Sequence, residues 1–337
     1  MEANKMEETL LNIEGLKTYF FTEAGVVKAV DGISFDLKKG ESLGLVGESG
    51  SGKTVTALSV LRIVPKPGKI VGGKIEFAGE NLLEKTEKEM QKIRGNKIAI
   101  IFQDPSSSLN PVYTIETQLA DVLIAHKRLS RIECRKRIIE LLHLVGIPDP
   151  ITRMREYPHQ FSGGMKQRVA IARALALEPT LLFADEPTTN LDVTIQAQVL
   201  ELLNDLKKKM NMSLILITHD MGIIAKMTTR VVVLYAGNVC EIAKTIDLYE
   251  HPRHPYTEAL LAAVPRLDMR KTLRVIPGNI PNLIEPPSGC RFHPRCKYAK
   301  EKCAVDIPVL EEIEPGHFVA CHEWQNIKLK GERANVV

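Results

Sequence analysis

No apolar stretch in these 337 residues approaches the ~20 needed to cross a bilayer. The opening, Met1–Glu8, is polar and acidic and lacks the charged-then-apolar layout of a signal peptide. These two absences predict a chain that stays in the cytoplasm and meets a membrane only through partners. Strong net charge is missing as well, since 45 basic and 41 acidic residues leave +4. That balance makes no case for nucleic acid. The basic run Lys127–Arg137, with Arg128, Arg131, Arg135, Lys136 and Arg137, reads instead as the solvated face of a helix. Internal repeats, low-complexity tracts and sustained heptads are absent.

Close cysteine pairs are also absent. Of six cysteines, Cys134 and Cys240 stand alone, while Cys290, Cys296, Cys303 and Cys321 crowd the last fifth of the chain. In a reducing compartment such crowding argues for metal or redox chemistry before structural disulfides. What remains is ordinary: 26% charged and 44% apolar residues, with length enough for a large core and more than one unit.

Against that background one string stands out, Gly47-Glu48-Ser49-Gly50-Ser51-Gly52-Lys53-Thr54. It follows the apolar run Leu43–Val46 and precedes a helix-compatible run, Val55–Ile63. That is the strand–loop–helix setting of a phosphate-binding loop, G-x-x-x-x-G-K-[ST]. Gly47, Gly50 and Gly52 let the backbone aim N–H groups at phosphate oxygens, and the helix offers its positive end to the same anion. Lys53 is expected to reach the β- and γ-phosphates, and the Thr54 hydroxyl to ligate Mg²⁺.

The rest of the chain reads as an α/β layered domain with a helical insertion. Strands are expected at Leu11–Ile13, Val26–Val30, Ile33–Leu37, Lys74–Phe77, Ile98–Phe102, Leu181–Ala184, Leu214–Ile217 and Val231–Tyr235. Helices are expected at Ile115–Ala125, Ile132–Val145, Arg168–Leu177, Gln196–Lys209 and Met221–Lys226. Beyond about residue 246 prolines punctuate the chain, and only Tyr256–Val264 reads as a helix.

The strand Leu181–Ala184 ends in two acids, Asp185 and Glu186, at the edge where open α/β sheets bind ligands. Asp185 suits holding Mg²⁺, directly or at one remove, and Glu186 suits polarising an attacking water. Phe161-Ser162-Gly163-Gly164-Met165-Lys166-Gln167 opens a helix and makes a second anion-binding surface. Two such surfaces in one chain suggest that they face one another across a dimer.

In this order the motifs resemble the nucleotide-binding subunit of an ABC transporter, over roughly residues 10–250. The resemblance rests on 47–54, Gln103 after its strand, Ser162-Gly163-Gly164, Asp185-Glu186, Asn190-Leu191-Asp192, and His219 after the strand Leu214–Ile217. It implies a P-loop NTPase fold, with a RecA-like core, an antiparallel β subdomain and a helical subdomain at about 105–165. Residues 1–245 would form this domain, and 246–337 a small Cys-rich extension. The resemblance further implies ATP and Mg²⁺ as ligands. Gly47, Ser49, Gly50, Ser51, Gly52, Lys53, Thr54 and Asp185 would bind them. An aromatic, Tyr19 or else Phe20 or Phe21, would stack on adenine. Gln103 would touch Mg²⁺ and the lytic water, Glu186 would be the catalytic carboxylate that polarises that water, and His219 would bond the γ-phosphate. Ser162, Gly163 and Gly164 would close on nucleotide held by a second subunit, with Asp192 at that interface. Phe161 and Met165 depart from the commonest signature, but neither change removes an anion-binding group.

The tail narrows the resemblance. His251-Pro252, Pro255–Leu261, Pro277-Gly278 and Cys290–Cys303 are similar to the C-terminal extension of dipeptide/oligopeptide permease ATPases, and Gln103-Asp104-Pro105 and Leu109-Asn110-Pro111, far from the tail, also resemble that group. The implied job is to power peptide uptake at the cytoplasmic face of the membrane. Two membrane permease subunits, a second ATPase subunit (a copy or a homologue) and an external solute-binding protein would be the partners. Another small solute such as nickel, or a non-transport ATPase, is the alternative.

The spacing Cys290-x5-Cys296-x6-Cys303-x17-Cys321 lacks the close pairs of structural zinc sites. Four thiolates suit a [4Fe–4S] cluster, with zinc and unligated or disulfide-forming thiols as the other readings. Lys297, Lys300 and Lys302 could offset a cluster's charge. His293, His317 and His322 could substitute as ligands, although a surface imidazole is the plainer reading of each. The tail could staple the fold or sense metal or redox state.

Overall fold

The computed structural model describes residues 8–127, 129–263 and 276–332. Most of the acidic opening, Arg128, and Val264 at the end of the expected helix lie outside the described residues. The chain forms two compact units, Met1–Glu84 with Leu216–Val337, and Lys85–Ile215. No helix among the described residues is long and apolar enough to cross a membrane.

In the first unit, strands Thr9–Thr22 and Gly25–Lys38 pair antiparallel from Thr9↔Lys38 to Thr22↔Gly25. The sequence predicts three short strands here. Register shifts at Ile13/Leu16, Leu16/Lys17 and Thr18/Phe20 explain why, because each restarts the inside–outside alternation. Gly68–Phe77 lies on the other side of Thr9–Thr22, and Glu80–Asn81 completes a four-stranded sheet.

A second sheet in this unit carries the chemistry. Ser42–Val46 and Arg230–Tyr235 run parallel, Leu43↔Arg230 to Val46↔Val233. All five residues of Ser42–Val46 are buried, and Val231–Tyr235 with them, as expected of strands covered on both faces. The chain reverses through Ala236 and Gly237, at φ 48° and 83°, a turn of the tight hairpin type. Strand Asn238–Lys244 follows, antiparallel. His317–Val319 pairs with it, and Glu311–Glu314 lies outside that. These last three strands carry no clear apolar alternation in the sequence and are not expected from it. Glu241 interrupts the apolar run of the first, and the hairpin is built from Glu-Glu-Ile-Glu and a turn at Gly316, φ 77°. Helices Lys53–Val60, Met221–Met227, Thr245–Glu250, Pro255–Ala262 and Glu301–Val305 complete the unit.

In the second unit, strands Ile98–Ile101 and Leu181–Asp185 are parallel neighbours, Ile98↔Leu181 to Ile101↔Ala184. Helices Ile115–Lys127, Arg131–Leu144, Gly163–Leu175 and Val193–Met210 accompany them, with a short helix, Glu87–Ile93, that the sequence analysis misses. Leu119, Leu123, Ile138, Leu141, Leu142, Val169, Ile171 and Leu175 form the apolar core. The steps of four from Leu119 to Leu123, and of three and four from Ile138 to Leu141 and Leu142, are the helical signature read from the sequence. Arg131, Arg135 and Lys136 are exposed on their helix, and Arg137 bonds Glu140 and Glu178. That is the solvated face expected. Strand Ser213–Thr218 carries the chain from the second unit back into the first.

Candidate functional site

In the first unit the chain leaves the buried strand Ser42–Val46 and wraps tightly. Gly47, Gly50 and Gly52 adopt φ of 151°, 77° and 103°. A Cβ on Gly47 would collide with the Leu234 carbonyl oxygen, and one on Gly52 would lie 2.6 Å from Ala29 O. Glycine is therefore needed at both for space as well as for backbone freedom. The loop is closed by Ser51 N–H donating to Glu48 O at 3.2 Å and Gly237 N–H donating to Ser51 O at 3.0 Å. Lys53 is buried, and its Nζ donates to Gly47 O at 2.7 Å and Glu48 O at 2.9 Å. Ser49, Gly50 and Thr54 are exposed on this loop. The helix after it buries Ser59, whose hydroxyl lies 2.8 Å from Thr18 Oγ1.

Three aromatics were candidates for the base. The Tyr19 hydroxyl donates to Asp31 Oδ1 at 2.5 Å, and burial, then this bond, pushes its pKa up to about 12. Phe20 is half-buried, and Phe21 is 45% exposed with the Lys69 ammonium over its ring. Of the three, Phe21 is the most exposed. His219 is exposed between strand Ser213–Thr218 and the helix that Asp220 caps.

In the second unit, the register of the two parallel strands decides the geometry. Ile101 pairs with Ala184, so two residues further on Gln103 comes opposite Glu186. Gln103 Nε2 donates to Glu186 Oε2 at 2.8 Å, and Thr189 Oγ1 donates to the same oxygen at 3.0 Å. Glu186 sits at φ 45°, a left-handed conformation that costs a non-glycine residue roughly 1–2 kcal/mol. Asp185 is buried at the strand's end.

Ser162 caps the helix Gly163–Leu175, its Oγ accepting from Met165 N at 3.3 Å. Ser162 and Gly163 are exposed. A Cβ on Gly164 would lie 2.7 Å from Ile195 Cγ2, so that glycine allows a close helix approach. Asp192 caps Val193–Met210 through Ile195 N at 3.0 Å and is exposed.

The four tail cysteines line one cavity of the first unit, with His254, Phe292, His293, Tyr298, His322 and Glu323. None is in a disulfide. Burial pushes Cys290 up to about 11 and Cys321 up to about 12, and raises Cys296. Among the described residues, however, no group of three or more His, Cys, Asp or Glu is arranged to hold a metal ion. The [4Fe–4S] cluster expected at Cys290, Cys296, Cys303 and Cys321 therefore finds no support in this arrangement.

Two of the three nearby lysines have acidic partners. Lys297 Nζ pairs with Glu258 at 2.9 Å and Lys300 Nζ with Glu323 at 2.5 Å. His317 is not a surface imidazole. It is buried, with Nε2 2.8 Å from Glu241 Oε1. Cys240, isolated in sequence, is fully buried, which raises its pKa well above the ordinary thiol value, and neighbouring Cys290, Glu241 and Cys321 push it the same way.

Residues 30–189 match the ABC transporter family, and residues 240–303 match the oligopeptide/dipeptide transporter C-terminal region. The oligopeptide transport ATP-binding protein AppD of Bacillus subtilis is 50% identical over 94% of this chain and 97% of its own length. The dipeptide transport ATP-binding protein DppD of Escherichia coli is 46% identical over 93% and 96%. The ATP-binding cassette MJ0796, solved as a post-hydrolysis dimer with ADP and Pi, aligns with a TM-score of 0.63 at 28% identity, covering 70% of this chain and 99% of that one. This chain belongs to the ATP-binding subunits of ABC transporters that carry the oligopeptide/dipeptide C-terminal region.

Proposed function

We propose that the chain is the ATP-hydrolysing subunit of an importer that powers uptake of dipeptides or oligopeptides. Its place would be the cytoplasmic face of the membrane, on two permease subunits and beside a second ATPase subunit. An external solute-binding protein would select the cargo. The observation that best supports hydrolysis is the Glu186 carboxylate, fixed by Gln103 and Thr189 at a strand's C-terminal end. The names of the similar proteins support the peptide as solute.

In the first unit, Gly47, Ser49, Gly50, Ser51, Gly52 and Lys53 would hold the phosphates, and His219 would bond the γ-phosphate. Phe21, the most exposed of the three aromatics, would stack on adenine, with Tyr19 and Phe20 the alternatives. In the second unit, Glu186 would orient the attacking water, with Gln103 holding Glu186 in place. Ser162, Gly163 and Gly164 would close on nucleotide of the second subunit, and Asp192 would flank that contact. Bound Mg²⁺ would neutralise developing phosphate charge. Thr54, exposed in the first helical turn, and Gln103 and Asp185 are the residues suited to hold it. The domain boundary near 246 belongs to the same reading.

The tail thiols stay candidates for a [4Fe–4S] cluster, with zinc as the alternative. Four unpaired thiols on one cavity support this, because a cubane takes four thiolates. Such a group would tie Cys290, Cys296 and Cys303 to the remote Cys321. Iron, acid-labile sulfide and zinc, measured per chain after purification without oxygen, test it. Four irons with matching sulfide would support a cluster, whereas one zinc or no metal would remove it.

The transport reading is tested by peptide uptake in cells deprived of this chain. Uptake should return with the native chain and not with Glu186→Gln. Uptake that never depended on the chain would refute peptide import.

A further inference from the structure

The segment between Cys290 and Cys296 reaches the phosphate-binding loop directly. Arg295, the neighbour of Cys296, has a side chain only 5% exposed. Its Nη1 and Nη2 donate to the two carboxylate oxygens of Glu48 at 2.7 and 3.1 Å. Glu48 is the second residue of the loop Gly47–Thr54. Arg295 is itself held, because Nη1 also donates to the Tyr235 hydroxyl at 3.2 Å and Nε to Pro277 O at 2.8 Å. The backbone of Glu48 is fastened separately. Its N–H donates to the Tyr256 hydroxyl at 2.8 Å, and its carbonyl accepts from Lys53 Nζ at 2.9 Å.

A forked guanidinium–carboxylate contact fixes orientation as well as distance. Here it fixes a residue whose backbone carbonyl anchors the phosphate-reaching lysine. A second arginine repeats the pattern beside Cys290. Arg291 donates to Ala236 O and to Asp31, and Asp31 accepts from the Tyr19 hydroxyl. Arg291 therefore braces the strand that carries the candidate aromatics, and Arg295 braces the loop.

We infer that Arg295 is a positioning residue for the nucleotide site, acting through Glu48 to hold the phosphate-binding loop, so that the C-terminal segment sets nucleotide affinity. This rests on the ATPase reading above. The competing role is a staple that only fastens the tail to the domain. A staple would lower stability and leave affinity alone.

The test is calorimetric binding of Mg–ADP to the full chain, with the thermal midpoint measured in parallel. The variants are Arg295→Gln, Arg295→Lys, Glu48→Gln and the Arg295→Gln/Glu48→Gln double. Arg295→Gln should weaken binding about tenfold, the usual scale for losing one well-made charged contact. Glu48→Gln should weaken it to a similar extent, and the double should add nothing, because both act through one contact. Arg295→Lys should recover part of the loss. Should Arg295→Gln fail to fold, Glu48→Gln and Arg295→Lys carry the measurement. Native-like affinity in folded variants, or fully additive losses, would overturn the proposal alone. A native chain that binds no nucleotide would overturn the ATPase reading as well.

Discussion

Gln103 and Glu186 meet across two parallel strands, Nε2 to Oε2 at 2.8 Å, because the pairing Ile101↔Ala184 puts them opposite each other two residues on. A neutral amide donating to a carboxylate fixes its direction without neutralising it. Glu186→Gln removes the charge and keeps the size. It should leave ATP binding intact and slow hydrolysis by about 10²–10⁴-fold. Phosphate release under single-turnover conditions checks this, and near-native turnover would sink the assignment.

The two loop glycines Gly47 and Gly50 separate space from backbone freedom. Gly47→Ala would drive a methyl into Leu234 O, whereas a Cβ at Gly50 meets nothing within 4 Å. Gly47→Ala should abolish ATP binding. Gly50→Ala, at φ 77°, should cost roughly 1–2 kcal/mol of stability and retain measurable binding. Thermal melts with and without nucleotide would distinguish the two.

Glu241 is fully buried and accepts from Arg253 N at 2.7 Å, His254 N at 3.0 Å and His317 Nε2 at 2.8 Å. Glu241→Ala orphans those donors together, at about 3–5 kcal/mol. Urea unfolding should read the loss. Amide exchange should rise first in His317–Val319, the strand this carboxylate helps hold.

His254 is buried, which pushes its pKa down from 6.5 to about 3. Its Nδ1 accepts from Tyr256 N at 3.0 Å and so caps the helix Pro255–Ala262. Above pH 6.5 the ring is neutral in folded and unfolded chains alike, and stability is full. Between pH 6.5 and about 3 the unfolded chain takes up a proton that the folded chain refuses. Stability should therefore fall as pH drops through that window, by up to about 1.4 kcal/mol per pH unit. His254→Asn keeps a capping acceptor and should flatten the slope by one proton. An unchanged slope in denaturant titrations would exclude His254 as the source.

The phosphate loop, Gln103, the Ser162 signature and the Asp185-Glu186 pair were legible because each is a short string in a fixed local setting. The buried strands around them were legible for the same reason, since apolar runs declare themselves. What failed to show was whatever depends on distant partners. Arg295 and Glu48 are 247 residues apart, and nothing near either announces the other. Glu241 reads as a strand-breaking charge until Arg253, His254 and His317 supply its bonds. The four tail cysteines were rightly singled out as a group and do share a cavity. Whether they hold a cluster is not legible in their spacing, because a shared cavity and a ligand geometry are different things.

The hairpin Glu311–Glu314 and His317–Val319 covers strand Asn238–Lys244, in which Val239, Cys240, Ile242 and Ala243 are all buried. Remove that cover and the strand becomes a bare edge, with unpaired N–H and C=O groups beside apolar side chains, ready to recruit another chain's edge. The strand that replaces it at the margin carries Glu311, Glu312 and Glu314, whose like charges repel a second copy laid alongside. The C-terminal segment thus also guards the molecule against edge-to-edge aggregation.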